Sequence, residues 1–216
     1  MIPEGPEVIR VGAGTTLEAS RALPPGATAG VVFCHPHPLY GGDMENPVIL
    51  AAARACARHG LATLRFNFRG VAGSGGVWDE GRGEQDDVRA ALDHLRGLLG
   101  RRGRVALAGY SFGAAMATVV AAGGEPLAGL ALIAPPLASP GWQRPQTLVI
   151  DGPVLVVAGS EDTHCPRPAL AALAPAMPAA TITVIDGADH FFDSGLRQLA
   201  IALGEWAAKL TAEPAA

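Results

Sequence analysis

Three short segments carry residue types that together support nucleophilic catalysis by a hydroxyl group. Gly109-Tyr110-Ser111-Phe112-Gly113 sets a serine between two glycines, directly after the apolar run Val105 to Ala108 and directly before a segment of helical character. A strand-to-helix turn that sharp tolerates no Cβ on its flanks, so Gly109 and Gly113 lift Ser111 clear of its surroundings. A serine hydroxyl is not ionised near neutral pH; it requires a base within hydrogen-bond reach, and the base requires an orienting acid. Gly159-Ser160-Glu161-Asp162 and Gly187-Ala188-Asp189-His190-Phe191, each following an apolar run, supply Asp162 as the acid and His190 as the base. The amide of Phe112 stands at a helix N-terminus, where backbone donors are unpaired and the dipole favours an anion, and is one donor for an oxyanion.

Rival assignments are weaker. Glu161, Asp186, Asp189 and Asp193 are alternative acids, but Asp162 sits in the expected register at the carboxyl end of a strand, where sites in open α/β sheets form. His164 is a rival base; His59 and His94 fall on expected helices and read as surface or cap residues. His35 and His37 lie on a loop locked by Pro36 and Pro38 without a nearby carboxylate pattern, so they are expected to shape the loop and no metal site is expected. Arg69 is expected to brace neighbouring loops through backbone hydrogen bonds in preference to binding a substrate carboxylate. Gly70 to Gly76 lacks both the Walker ending and the dinucleotide spacing, so no cofactor is expected.

Positioning these residues requires a particular order of elements. Short, nearly continuous apolar runs at 30–35, 62–68, 104–110, 127–134, 154–159 and 181–186 read as buried strands. Between them, 47–59, 84–99, 112–122, 168–177 and 195–210 read as helices, the second having Asp86 and Asp87 near its positive end. That alternation is the pattern of an α/β fold, a mostly parallel central sheet with helices on both faces. Two weaker strands, 8–11 and 16–19, precede the set and are joined by a plausible hairpin turn at Gly12-Ala13-Gly14.

Composition limits the rest. With 216 residues, 49% of them hydrophobic, and no linker, residues 1–216 read as a single domain. A net charge of -4 without a basic run makes nucleic acid an unlikely partner. The N-terminus has neither the basic start nor the apolar core of a secretory signal, and the uncharged stretch Val105 to Gly124 is broken by glycines, so a cytoplasmic protein without a membrane partner is expected. Cys34, Cys56 and Cys165 are widely spaced and odd in number, the pattern of buried free thiols.

Gly-Tyr-Ser-Phe-Gly, Gly-Ser-Glu-Asp and Gly-Ala-Asp-His-Phe-Phe, in that order, resemble the α/β-hydrolase superfamily across almost the whole chain. The order Ser, Asp, His is that superfamily's and differs from those of chymotrypsin and subtilisin. His35-Pro36-His37-Pro38-Leu39-Tyr40-Gly41-Gly42 and Phe66-Asn67-Phe68-Arg69-Gly70-Val71 resemble a group of small bacterial hydrolases without a lid. The resemblance implies that the second oxyanion donor comes from the loop beginning at His35. Proline carries no N–H, which leaves the amide of His37, Leu39 or a residue just beyond, and His37 takes the place of the donor in the usual His-Gly-x loop. A lid in this superfamily commonly follows the strand after the nucleophile helix; here that stretch is about twenty residues rich in proline, too short for a cap domain. Leu39 and Tyr40 are then the expected substrate-pocket residues, with Trp78 and Phe191 extending a shallow apolar wall. The resulting expectation is a serine hydrolase of the carboxylesterase kind, acting without cofactor on small soluble esters.

Overall fold

Side chains alternate along every central strand, and that alternation builds two hydrophobic layers. Val32, Cys34, Leu64, Phe66, Leu107, Leu132 and Val156 face one side of the sheet, while Val31, Phe33, Ala106, Ala108, Ile133 and Val157 face the other. The computed structural model describes residues 3–12, 14–142, 145 and 147–212. In chain order the elements are β1 (Gly5–Val11), β2 (Thr15–Ala22), β3 (Ala29–Cys34), α1 (Pro47–Ala57), β4 (Ala62–Phe66), α2 (Arg82–Leu99), β5 (Arg104–Tyr110), α3 (Phe112–Ala122), β6 (Leu130–Ile133), β7 (Val154–Gly159), α4 (Arg167–Leu173), β8 (Ala180–Ile185) and α5 (Leu196–Thr211).

They form an eight-stranded sheet of order β1-β2-β4-β3-β5-β6-β7-β8. β1 and β2 pair antiparallel, β2 joins β4 antiparallel, and every later pairing is parallel. Helices α2, α3 and α4 cover one face and α1 and α5 the other, as the buried residues of each layer show. The sheet is thus the expected α/β-hydrolase arrangement. Only the twenty residues 134–153 separate β6 from β7, and no cap domain is inserted there.

Several boundaries differ from the sequence reading, each for a local reason. β4 stops at Phe66 because Asn67 donates its N–H to Glu18 O and Phe68 donates to the His35 ring, which takes both out of the ladder. β6 begins at Leu130, since Ala128 and Gly129 reach β5 through single backbone bonds outside the regular register. β1 and β2 are longer than expected, pairing from Gly5↔Arg21 to Val11↔Thr15. Their turn was placed at Gly12-Ala13-Gly14, and Ala13 lies outside the described residues. Helix α2 starts at Arg82 because the Glu84 carboxylate turns back to accept the amides of Asp79 and Gly81. The three cysteines are free and buried, and burial pushes the Cys56 and Cys165 thiols up to about 12.

Arg69 braces loops, as expected, but through a side chain. Its guanidinium meets the fully buried Asp87 carboxylate of α2 at 2.7 Å, and its own amide donates to the same carboxylate at 3.0 Å. Asp87 therefore serves an ion pair and not the helix dipole. Removing one partner of a buried pair leaves the other uncompensated, so Asp87→Ala should cost about 3 kcal/mol. The double variant Arg69→Met/Asp87→Ala should recover part of that loss. Urea denaturation of Asp87→Ala, Arg69→Met and the double variant checks both statements, and strictly additive losses would contradict the pairing.

Candidate active site

Ser111 occupies the turn between β5 and α3 with φ 54 and ψ −116, a conformation costing a non-glycine residue on the order of 1–3 kcal/mol. The surroundings hold it there. Its N–H donates to Ile133 O at 2.9 Å and its carbonyl receives the amides of Ala114 and Ala115. A Cβ on Gly109 would lie 2.2 Å from Gly113 O, and one on Gly113 would lie 2.1 Å from Cys34 O, so the flanking glycines are required by backbone meeting backbone. Phe112 is the first residue of α3, and its N–H has no intrahelical acceptor.

Two and three strands further across the sheet, the loops after β7 and β8 bring Asp162 and His190 to the same place. His190 Nε2 lies 2.9 Å from Ser111 Oγ, and His190 Nδ1 lies 2.9 Å from Asp162 Oδ2. The carboxylate can only accept, so Nδ1 carries the proton and the Nε2 lone pair faces the hydroxyl. Asp162 Oδ1 accepts the amides of His164 and Cys165, which fixes the buried carboxylate. Tyr110 Oη donates to His190 O at 3.0 Å and steadies the loop after β8. Among the alternative acids, Asp189 caps its own turn by accepting the Phe191 and Asp193 amides, and Glu161, Asp186 and Asp193 are exposed. His164 packs its ring 4.5 Å from that of His190.

The loop after β3 uses up its own donors. Leu39 N–H goes to His37 Nδ1, Tyr40 and Gly42 donate to His37 O, and Gly41 donates to Pro38 O. Pro36 and Pro38 have no N–H, so the His37 amide is the one spare donor among residues 36–42. The far end of the loop is pinned at Met44, whose N–H donates to Asn67 Oδ1 and whose carbonyl accepts from the buried Arg65. His35 ties it to the loop after β4: Nε2 accepts the Phe68 amide at 3.0 Å and Nδ1 faces Pro36 O at 2.6 Å. Burial holds the His37 imidazole below the ordinary histidine value, opposed by the Glu84 carboxylate.

These loops enclose a cleft of about 750 Å³ with Ser111 and His190 in its wall. Tyr40, Trp78 and Phe191 line it. Leu39 does not, because the single turn of 3₁₀ helix at Pro38–Tyr40 points successive residues in different directions. Sequence reasoning missed Ala115, Met116, Pro136 and Trp142, which also line the cleft. For Ala115 and Met116 the signal was present, since they lie three and four positions beyond Phe112 on one helix face.

Residues 13–149 match the model of the family described as X-Pro dipeptidyl-peptidase (S15 family). The chain belongs to the S15 family. A solved structure of an α/β serine hydrolase homologue from Coxiella burnetii is 34% identical, covers 93% of this chain and 96% of its own, and superposes with a TM-score of 0.83. A Xanthomonas campestris protein described as an α/β serine hydrolase without lid is 32% identical over 98% of this chain and 97% of its own, with a TM-score of 0.85. An uncharacterised protein of Rickettsia prowazekii is 43% identical over 95 residues, and the match spans 40% of that protein's length. This S15-family chain is an α/β hydrolase in sequence and in fold.

The geometry of this family member sets a hydroxyl against an imidazole in a cleft whose walls include two residues with spare amides, Phe112 and His37. The loop carrying the second amide depends on neutral His35, which is buried. In the fold, burial pushes its pKa from 6.5 down to about 4, against the Pro36 carbonyl and Asp43, which favour the charge. The unfolded chain thus takes up a proton near pH 6.5 that the folded chain refuses until about pH 4. Stability is full above that window and falls as the pH drops through it. Denaturation midpoints measured across the window should show the decline, and His35→Gln, which cannot titrate, should flatten it; an unchanged slope in the variant would place the effect elsewhere.

Proposed function

We propose that the chain hydrolyses small, soluble carboxylic esters through an acyl-enzyme on Ser111, with His190 as base and Asp162 as the acid that orients it. The observation that carries this reading is the unbroken relay from Asp162 Oδ2 through His190 to Ser111 Oγ, two contacts of 2.9 Å each. In the first step the Oγ–H proton passes to His190 Nε2 as Oγ bonds to the ester carbon, and the carbonyl oxygen becomes an oxyanion held by the amides of Phe112 and His37. Collapse breaks the bond to the alkoxide, which leaves as alcohol with the proton from His190. Water then repeats the sequence and frees the acid and Ser111. The same residues, in one domain over 1–216, account for the whole cycle without a cofactor.

The S15 match raises a second reading, removal of X-Pro dipeptides. That reaction measures two residues from a free N-terminus and calls for a carboxylate to hold the ammonium group. Among the described residues, and outside the Ser111 relay, the only acidic residue lining the cleft is Glu80, which Arg82 meets at 3.1 Å. Esters also need no such anchor, and their leaving alcohols depart more readily than amines.

Ser111→Ala should lose about 10⁴ to 10⁶ in kcat together with fluorophosphonate labelling, while its denaturation midpoint is retained. Asp162→Asn should lose on the order of 10³ to 10⁴ through misorientation of the imidazole. An active Ser111→Ala protein in a clean preparation, or a near-normal Asp162→Asn, would refute the assignments. A panel of p-nitrophenyl acetate, butyrate, octanoate and palmitate, with an X-Pro p-nitroanilide beside it, tests the substrate. Without a cap, long acyl chains gain less than the roughly 0.8 kcal/mol per methylene of full burial, so kcat/KM should level off early. A steady rise to palmitate, or faster cleavage of the anilide than of any ester, would contradict this reading.

A further inference from the structure

Aromatic rings cover the cleft on both sides of Ser111. On the side of β3 and β4, the His37 ring lies 4.7 Å from Tyr40, 4.8 Å from Trp78 and 5.1 Å from Phe112, and Trp78 lies 5.1 Å from Phe112, centroid to centroid. These rings make one continuous face, beside which the Met116 thioether also lines the cleft. Across from them, Trp142 enters the lining from the segment after β6. Charge is as informative as shape. Among the described residues no lysine or arginine lines the cleft, so an anionic substrate group would lose its hydration there without a counter-charge.

Direction follows from the relay. A leaving oxygen must come within reach of His190 Nε2, which assigns the leaving group to the end of the cleft at His164 and Phe191. The acyl group is left with the other direction, toward Tyr40 and Trp78. On the ester-hydrolase reading above, we propose that the cleft selects esters whose acyl group carries an uncharged aromatic ring. Ring quadrupoles reward edge-to-face and offset contacts beyond the area they bury, a gain of about twofold to tenfold for each pair. A cleft that read area alone would favour the saturated ring of equal carbon count, because that ring has more apolar surface to bury.

The opposite signs make the test direct. Initial rates by pH-stat on ethyl phenylacetate and ethyl cyclohexylacetate should give a kcat/KM ratio of about ten in favour of the aromatic ester. Trp78→Leu should lower that ratio by about threefold, and so should Tyr40→Leu. Tyr40 is 86% exposed, so the second variant keeps the test sound should Trp78→Leu fail to fold. With the ring moved to the leaving side, the ratio for benzyl acetate over cyclohexylmethyl acetate should be unchanged in Tyr40→Leu and Trp78→Leu, because that end is lined by His164 and Phe191. A phenylacetate ratio of one or below, a phenylacetate ratio unchanged in Tyr40→Leu, or a preference that appears only for benzyl acetate would overturn the inference while leaving the hydrolase reading intact. Absence of Ser111 labelling by a fluorophosphonate would overturn both.

Discussion

The contact on which the site depends is one between backbones. Gly113, in the first turn of α3, lies against the carbonyls of Cys34 and His35 at the end of β3, so close that a methyl group would stand 2.1 Å from Cys34 O. That approach lets α3 start directly under the loop after β3. It also brings Phe112 under the loop that carries His37, their rings 5.1 Å apart, and leaves Ser111 at positive φ in the turn between β5 and α3. The strain at Ser111 is offset by the bond its N–H donates to Ile133 O on β6 and by the Ala114 and Ala115 amides that its carbonyl accepts.

Polar groups buried around that contact do a different task, which is to hold loops that have no regular structure. Arg65 and Asn67 clasp Met44 by its carbonyl and its amide, His35 takes the Phe68 amide, Asp87 takes Arg69, and Glu84 closes the start of α2. Each is buried, and each is satisfied by a partner on another segment. The loops after β3 and β4 are therefore cross-tied before any substrate arrives. A catalytic constellation benefits from such ties because a hydrogen-bond donor must already point at the place where charge develops.

How much of this was legible depended on whether the governing forces were local. Ser111, Asp162 and His190 stood out because a sharp turn needs glycine and because loops at strand ends carry chemistry, both properties of short segments. The parallel strands were visible for the same reason, being continuous apolar runs. What the chain did not disclose were relations between distant segments. Asp87 looked like a helix-dipole residue until Arg69, eighteen positions away, was seen to meet it. Leu39 and Tyr40 looked alike as apolar neighbours, and only the single helical turn sets Tyr40, and not Leu39, at the cleft. Trp142 sits in a segment without periodicity, where nothing local indicates which way an indole faces.

β8 lies at the edge of the sheet and is hydrogen-bonded on one side only, to β7. It delivers His190, whereas Ser111 rides on β5 in the interior of the same sheet. Strands held on one side open locally at lower free energy than those held on both, so excursions of β8 need not await melting of the rest. On the proposed mechanism the base thus hangs from one of the least supported strands and the nucleophile from one of the best supported. Loss of function on warming becomes a local event, an unzipping at the sheet's margin that leaves the serine, its strained turn and most of the core in place.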